Sequence, residues 1–451
     1  MADNVAPTGP RSSGITYQDL LDSDTYPVPD VLRLESPRFL GSADIATSRY
    51  TSRAWHEAEV ERLWRRVWQF ACREEELPHI GSHIVYEIAT MSFIVVRVAD
   101  DQIKAYYNSC LHRGRQLKDH GGRCSEFRCP YHGFTWALGG TLASIPARWD
   151  FEHADDADFS LPEAKVGTWA GFVFINPDAD AAPLEDFLGG LPEQFDRWKL
   201  EDRYVQGHVQ KTIRANWKVV QEAFCESYHA PTTHPQTAPY LGDVNSQIDI
   251  WDTYARVITP GGTPSPLLGW DPSQEEILRY MLDIRNDEES YITLADGKTA
   301  REVSASAARE RWRGVMGDQV DEWCDAEYID NIDYTLFPNM HPWGAYNRIV
   351  YRFRPNGDNH REALMDVYLL APFNGERPEP AATTYLGPDD EWIEASELGM
   401  LAKVFSQDSF NMPMVQKGLE AAAKPGVTLA NYQESKVRWL HDMLGQWVEG
   451  D

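Results

Sequence analysis

The stretch Asn216–Pro235 reads NWKVVQEAFCESYHAPTTHP and holds His229 and His234, with four residues between them, and Glu226 three residues before the first. Neutral imidazole and carboxylate suit ferrous iron better than thiolate does. Two histidines and one carboxylate on one face of that ion leave positions open for O2 beside a substrate. A histidine pair alone does not establish such a site, because pairs of this kind are common. The carboxylate must come from elsewhere in the chain, and Asp325, Asp330, Asp333 and Asp408 are candidates.

A second constellation lies upstream. NSCLHRGRQL supplies Cys110 and His112, and RCPYHGFTW supplies Cys129 and His132, with 16 residues between His112 and Cys129. The pattern is Cys-x-His and then Cys-x-x-His, with Gly114 and Gly133 close behind each pair. Two facing loops with two ligands each could pinch a [2Fe–2S] cluster in which one iron takes the thiolates and the other the imidazoles. A structural zinc site is the competing reading, but its paired ligands usually stand two or more residues apart. Cys124 lies between the pairs without a histidine at the same spacing and reads as a packing residue. Arg113, Arg115, Lys118, Arg123 and Arg128 face only Asp119 and Glu126 in this segment, a basic patch able to steer an acidic electron donor.

These ligands need domains to hold them. At 451 residues the chain predicts two or three domains. Its 70 acidic and 42 basic side chains give a formal charge of −28, which argues against nucleic acid and anionic membranes as partners. No run reaches 18 apolar residues, so no transmembrane helix is expected. The first residues, MADNVAPTGPRSSG, lack the apolar core of a secretory signal and read as a flexible tail. Six cysteines do not form a disulfide framework in a chain of this size, and a cytoplasmic location with reduced thiols is expected.

Residues 1–50 read as an extended arm. Val60, Leu63, Trp64, Val67 and Trp68 fall at helical spacing and predict an amphipathic helix from His56 to Phe70. Residues 84–88, 93–99, 102–107 and 171–176 read as short strands bounded by turns, hence an all-β domain within 51–180 that carries the Cys/His loops. Residues 177–190 read as a linker running into a short helix. In the third domain, 181–451, Asn216 to Tyr228 predicts a helix ending near His229, with regular structure stopped by Pro231. Residues 268–330 read as charged helix, 348–353 and 363–373 as strands, and 398–405 and 435–448 as helix. Strands followed by helices give an α+β fold class. There is no Gly-rich dinucleotide or phosphate loop, so an oxidoreductase of this sequence would take electrons from a partner protein.

The motif C-x-H, a 16-residue gap and C-P-Y-H-G, with TWAGFVFINPDADAAPLEDFLG after it, resembles the Rieske non-haem iron ring-hydroxylating oxygenase large (α) subunits. The likeness continues through NWKVVQEAFCESYHAPTTHP and covers nearly the whole chain past residue 50. It implies a Rieske [2Fe–2S] domain followed by a helix-on-antiparallel-sheet catalytic domain of the helix-grip, START-like kind. It implies Cys110, His112, Cys129 and His132 as cluster ligands. His229 and His234 become ligands of a mononuclear Fe2+, and VFSQDSFNMPMVQ marks Asp408 as the third. O2 is the implied co-substrate, and the implied donor is a flavin reductase, with or without a ferredoxin, fed by NAD(P)H.

The same resemblance implies that the centres of one subunit are too far apart for fast transfer. A head-to-tail homotrimer, α3 or α3β3, would solve this, with the carboxylate at Glu226 bridging His132 of the partner subunit and His229. Most family members carry Asp there; Glu also occurs, including in carnitine-type oxygenases, so substrate class does not transfer from the Asp-containing dioxygenases. Glu222, one helical turn earlier, would position Glu226 or a water. Phe224, Phe337, Met340 and Trp343 are expected to line an apolar pocket, and His341 to be structural. The expected reaction is cis-dihydroxylation or monohydroxylation of an apolar aromatic or ring-containing substrate. The alternatives are O- or N-demethylation, quaternary-amine oxidation and, from another class, electron transfer alone.

Overall fold

Alternating and fully apolar strand segments in the chain sort into two main sheets. In the computed structural model, which describes residues 14–284 and 292–450, the first sheet has seven strands. Their order is Gln69–Arg73, Phe172–Asn176, Glu163–Trp169, Gln102–Tyr107, Met91–Ala99, Ser82–Ile88 and Gly122–Arg123. A three-stranded sheet, Glu126–Arg128, Thr135–Ala137 and Leu142–Ser144, folds over it. Between them lies a small core of Ile94, Val96, Tyr106, Phe127, Phe134 and Trp136, which also takes in Cys110 and Cys129. The four strand segments read from the sequence fall inside this unit.

The second sheet has eight strands, in the order Gln247–Ile250, Tyr254–Thr259, Asn331–Leu336, Met340–Pro342, Ile349–Asn356, Asn359–Pro372, Arg203–Ile213 and Thr383–Leu386. All neighbours are antiparallel except the last pair. The helices Trp217–Glu222, Leu401–Ala421 and Ser435–Val448 pack on one face, where Trp217, Val220, Phe405 and Leu440 meet Tyr351, Phe353 and Val367. The opposite face buries Trp198, Tyr334, Tyr368 and Phe195. This is the α+β arrangement of helices on an antiparallel sheet.

Two buried charged knots tie these elements together, the first across the two sheets and the second between helices. Asp366 accepts from Arg352 Nε at 2.9 Å, Gln210 Nε2 at 2.8 Å and His208 Nε2 at 3.0 Å, across strands whose register places Gln210 and Arg352 opposite it. Arg352 also donates to the carbonyl of Ala71, and Arg354 to that of Glu87 at 2.6 Å, both in the first sheet. Glu59 accepts from Lys218 Nζ at 2.6 Å and Trp217 Nε1 at 3.1 Å, tying the helix Arg53–Glu59 to the one before the histidines. All of Glu59, Lys218 and Asp366 are buried.

Several expectations change. The helix near residue 60 starts at Arg53 and ends in a π-helical turn, Val60–Trp64. Val67 and Trp68 lie beyond it, because the chain must straighten into the strand Gln69–Arg73. The arm is packed from residue 14 onward: Thr25 bonds Asp325, Ser36 N donates to Asp249, and Arg256 donates to the carbonyls of Val31 and Leu34. The tail reading falls on residues 1–13, outside the described residues. The charged segment forms helices Gln274–Met281 and Ala300–Met316, with 285–291 outside the described residues.

Candidate metal centres and active site

Asn216 starts the critical stretch by capping the helix Trp217–Glu222, its side chain accepting from Lys218 N at 3.1 Å. The helix stops at Glu222 rather than running to His229. Its buried Trp217, Val219 and Val220 end there, and Glu226 then builds a turn by accepting from His229 N at 3.0 Å. Pro231 does not stop regular structure. It stands in the first turn of a four-residue helix, Ala230–Thr233, where its missing N–H costs nothing. His229 and His234 are the two caps of that short helix.

The helix Leu401–Ala421 brings Asp408 to them. One ligand atom from each of His229, His234 and Asp408 lies within 4.8 Å of the others. His234 Nε2 is 2.8 Å and His229 Nε2 is 3.5 Å from Asp408 Oδ1. Each histidine is held from behind: Glu226 Oε1 accepts from His229 Nδ1 at 2.7 Å, and Gln407 Oε1 from His234 Nδ1 at 2.8 Å. Acceptors at both Nδ1 atoms favour a proton there, and a metal ion bound beside Asp408 would then take both Nε2 atoms. Burial opposes charge on His229, yet in the absence of a metal Asp408 and Glu226 raise its pKa to about 10. Burial likewise pushes Asp408 up, and the two histidines hold it below the ordinary carboxylate range. Two imidazoles and one carboxylate, partly buried, fit mononuclear ferrous iron. Asp325, Asp330 and Asp333 serve elsewhere, paired with Arg309, Arg301 and Lys436.

This triad stands in a partition between two spaces. Glu226, His229 and Asp408 line both an inner cavity of about 440 Å³ and an outer groove of about 1160 Å³. Phe224 and Trp343 line the inner cavity. Phe337 and Met340 do not. Phe337 packs on Trp439 and Trp447, while Met340, paired with Leu336, points into the core on the far face of the sheet. His341 is buried against Thr335, and burial holds it well below the usual imidazole range. Glu222 is bonded to His441 at 2.7 Å and to Tyr50 at 3.1 Å, so its partners are these and not Glu226. Gln407 carried no signal of its own beyond standing next to Asp408.

The Cys/His loops are two copies of one turn. Gly114 N donates to Cys110 O at 2.8 Å and Gly133 N to Cys129 O at 3.0 Å, and both glycines have positive φ, 75° and 80°. Backbone N–H groups of His112 and Arg113 point at the Cys110 thiol, and those of Tyr131 and His132 at Cys129. Both thiols are buried, and the imidazole rings of His112 and His132 lie 4.8 Å apart toward the surface. His112 Nδ1 is buried without a hydrogen-bond partner, and Arg113 donates to His132 Nε2 at 2.8 Å, which leaves the other nitrogen of that ring. A thiol pair inside and an imidazole pair outside fit a mixed-ligand [2Fe–2S] cluster. Cys124 sits apart, 3.7 Å from His83.

A model of the Rieske [2Fe–2S] domain matches residues 67–153, and one of the ring hydroxylating alpha subunit (catalytic domain) matches residues 193–450. The chain belongs to the ring-hydroxylating oxygenase α-subunit family. Biphenyl 2,3-dioxygenase subunit alpha of Rhodococcus jostii is 33% identical over 415 residues, 88% of this chain and 87% of that one. The glycine betaine monooxygenase oxygenase subunit of Pseudomonas aeruginosa is 29% identical over 406 residues, 80% and 91% of the two chains. Among solved structures, the quaternary ammonium Rieske monooxygenase CntA with L-carnitine shares the fold at a TM-score of 0.65 and 18% identity, covering 92% of this chain and 99% of that one. As a member of this Rieske oxygenase family, the chain is a terminal oxygenase component, an oxidoreductase that uses a [2Fe–2S] cluster, mononuclear iron and O2. No helix among the described residues is long and apolar enough to cross a membrane.

Proposed function

We propose that this oxygenase hydroxylates a ring-containing substrate in the inner cavity, with iron held by His229, His234 and Asp408. The observation that carries the reading is the triad's place between a smaller inner cavity and a larger, more open groove. Iron bound there would supply O2 activation, drawing on electrons from the cluster held by Cys110, His112, Cys129 and His132. The chain's own residues do the rest. Glu226 and Gln407 orient the imidazoles, and Phe224, Tyr351 and Phe405 form an apolar wall against which a ring can lie. His229→Ala should abolish substrate-dependent O2 uptake while the cluster's visible spectrum stays intact; unchanged uptake would reject the mononuclear site.

No cluster ligand lines either space. The groove exposes Ile393, Met400, Phe410 and Val415, at 47–74% relative exposure, directly outside Glu226 and His229. In this reading a second copy covers it with its cluster loops, where Tyr131 and Trp149 are 61% and 75% exposed. Glu226 would then stand between His229 and His132 of the partner subunit in a closed head-to-tail homotrimer, α3 or α3β3. The arginines around the cluster loops would receive a ferredoxin or flavin reductase in a cytoplasmic setting. The domain limits 51–180 and 181–451 are part of the same proposal. Glutamate stands at 226 where aspartate is the usual residue, and the outcome is monooxygenation or cis-dihydroxylation. Product mass under labelled O2 separates the two: one labelled atom supports monooxygenation and two labelled atoms exclude it.

A further inference from the structure

The two histidines of the triad stand at opposite ends of the short helix Ala230–Thr233, and that difference decides how the group behind each ring can be held. A helix leaves N–H groups unpaired at its start and uses them at its end. His229, at the start, has its backbone N–H to offer. Glu226 takes it with Oε2 at 3.0 Å while Oε1 accepts from Nδ1 at 2.7 Å, so one carboxylate grips ring and backbone of the same residue. His234, at the end, has already spent its backbone N–H on Ala230 O at 2.8 Å. Gln407 accepts from His234 Nδ1 with Oε1 at 2.8 Å, and its second tether must come from elsewhere.

Gln236 supplies it. Its Nε2 donates to Gln407 Oε1 at 2.8 Å, and its Oε1 accepts from Gln407 Nε2 at 3.2 Å, so the two amides are paired edge to edge. Two such bonds fix the plane of the Gln407 amide, which a single bond to a ring would leave free to turn. Gln236 belongs to the turn that follows His234. In that turn Thr237 donates twice to His234 O, from its backbone N and from Oγ1, each at 2.8 Å. His234, Gln236 and Gln407 thus close a ring of contacts between this turn and the helix Leu401–Ala421. Asp408 is the next residue on that helix, and its Oδ1 lies 2.8 Å from His234 Nε2. The amide pair therefore clips the histidine's segment to the aspartate's helix at the Nδ1 edge of the ring, opposite the Nε2 edge. Neither amide is charged, so the clip adds no charge to a site that already holds Asp408 and Glu226.

We infer that Gln236 is a positioning residue for the mononuclear iron: its paired amide fixes Gln407 against His234 and keeps His234 and Asp408 at the separation a shared ion requires. The inference rests on the proposed reading of His229, His234 and Asp408 as the iron ligands. Its action runs through Gln407, and this sets it apart from a residue that merely packs the turn.

The test measures how tightly the holoenzyme holds ferrous iron, by equilibrium competition with a ferrous chelator, so that it does not depend on turnover. The visible spectrum of the cluster and the melting temperature, followed in the same samples, report on the fold. Gln236→Met keeps the reach of the side chain and removes both amide bonds. It should weaken iron binding about tenfold, the low end of the range for a group behind a metal ligand. Gln407→Met should weaken it at least as much. The double variant should be no weaker than Gln407→Met alone, because Gln236 then has no amide to hold. Unchanged affinity in Gln236→Met, or a loss that adds in full to that of Gln407→Met, would overturn the inference. His229→Ala tests the underlying reading separately: parental iron affinity in that variant would reject the triad as the iron site, whatever the Gln236 variants show.

Discussion

Glu226 uses both oxygens on one histidine, Oε1 on His229 Nδ1 and Oε2 on the His229 backbone N–H. Its charge favours the proton on Nδ1 and leaves Nε2 for the metal. Glu226→Gln keeps the shape and removes the charge, so substrate-dependent O2 uptake should fall by about 10- to 100-fold, the usual range for a group behind a metal ligand. Glu226→Asp should restore part of it, with the cluster spectrum unchanged in both. Gln407 plays the neutral counterpart behind His234. The candidate histidines and candidate cluster residues stood out in the sequence because their spacing is local and chemically unusual. Asp408 was legible only through a family motif, since nothing in spacing separates one distant aspartate from another. Phe337 and Met340 were misplaced for a related reason: an apolar residue in a strand, or in the turn that follows one, looks the same whichever face it takes, and the faces here are both buried.

At the scale of elements, strands such as Gln102–Tyr107 were legible because β-branched runs bounded by turns have few alternatives, but others, Arg203–Ile213 and Tyr254–Thr259 among them, were not read. The helix Ser435–Val448 was legible to the residue, whereas two earlier helices were not. Apolar spacing continued past Trp64 and past Glu222, but in both places tertiary contacts end the helix before the pattern does. The knot at Asp366 was invisible as well, since its partners come from three strands and its outer contacts from the other sheet. Burial alone would raise that carboxyl; Arg352 and Arg354, with His208, hold it well below the ordinary range. A depressed folded value means that its stabilisation is complete above the ordinary carboxylate range, about pH 4. It is lost as pH falls through the folded value. Asp366→Asn should cost about 3–5 kcal/mol by leaving two buried guanidinium groups without a carboxylate. Thermal melts from pH 7 downward should show the two proteins converging at low pH, and a mutant as stable as the parent at pH 7 would contradict this account.

For the whole molecule, the apolar groove beside the iron ligands sets the expected quaternary structure. Phe410 is 74% exposed at its rim. If the proposed trimer forms through this groove, Phe410→Asp should shift sedimentation from trimer toward monomer and lower O2 uptake in proportion, with the fold of the chain kept, as surface changes of under about 0.5 kcal/mol allow. A trimer that survives the change would place the contact elsewhere. The location of the ligands also sets an order on how the protein matures. All four proposed cluster ligands sit in two neighbouring loops early in the chain, whereas Asp408, the proposed third iron ligand, is 174 residues from His234. A nascent chain emerging from the ribosome therefore presents a complete cluster pocket long before it has a complete iron pocket. Iron–sulfur delivery can accompany synthesis, but ferrous iron can be captured only after the C-terminal helices have docked. A shortage of either metal during growth would accordingly leave different products: a chain deprived of ferrous iron would be coloured, folded and inactive, and one deprived of clusters would lack the colour from the start.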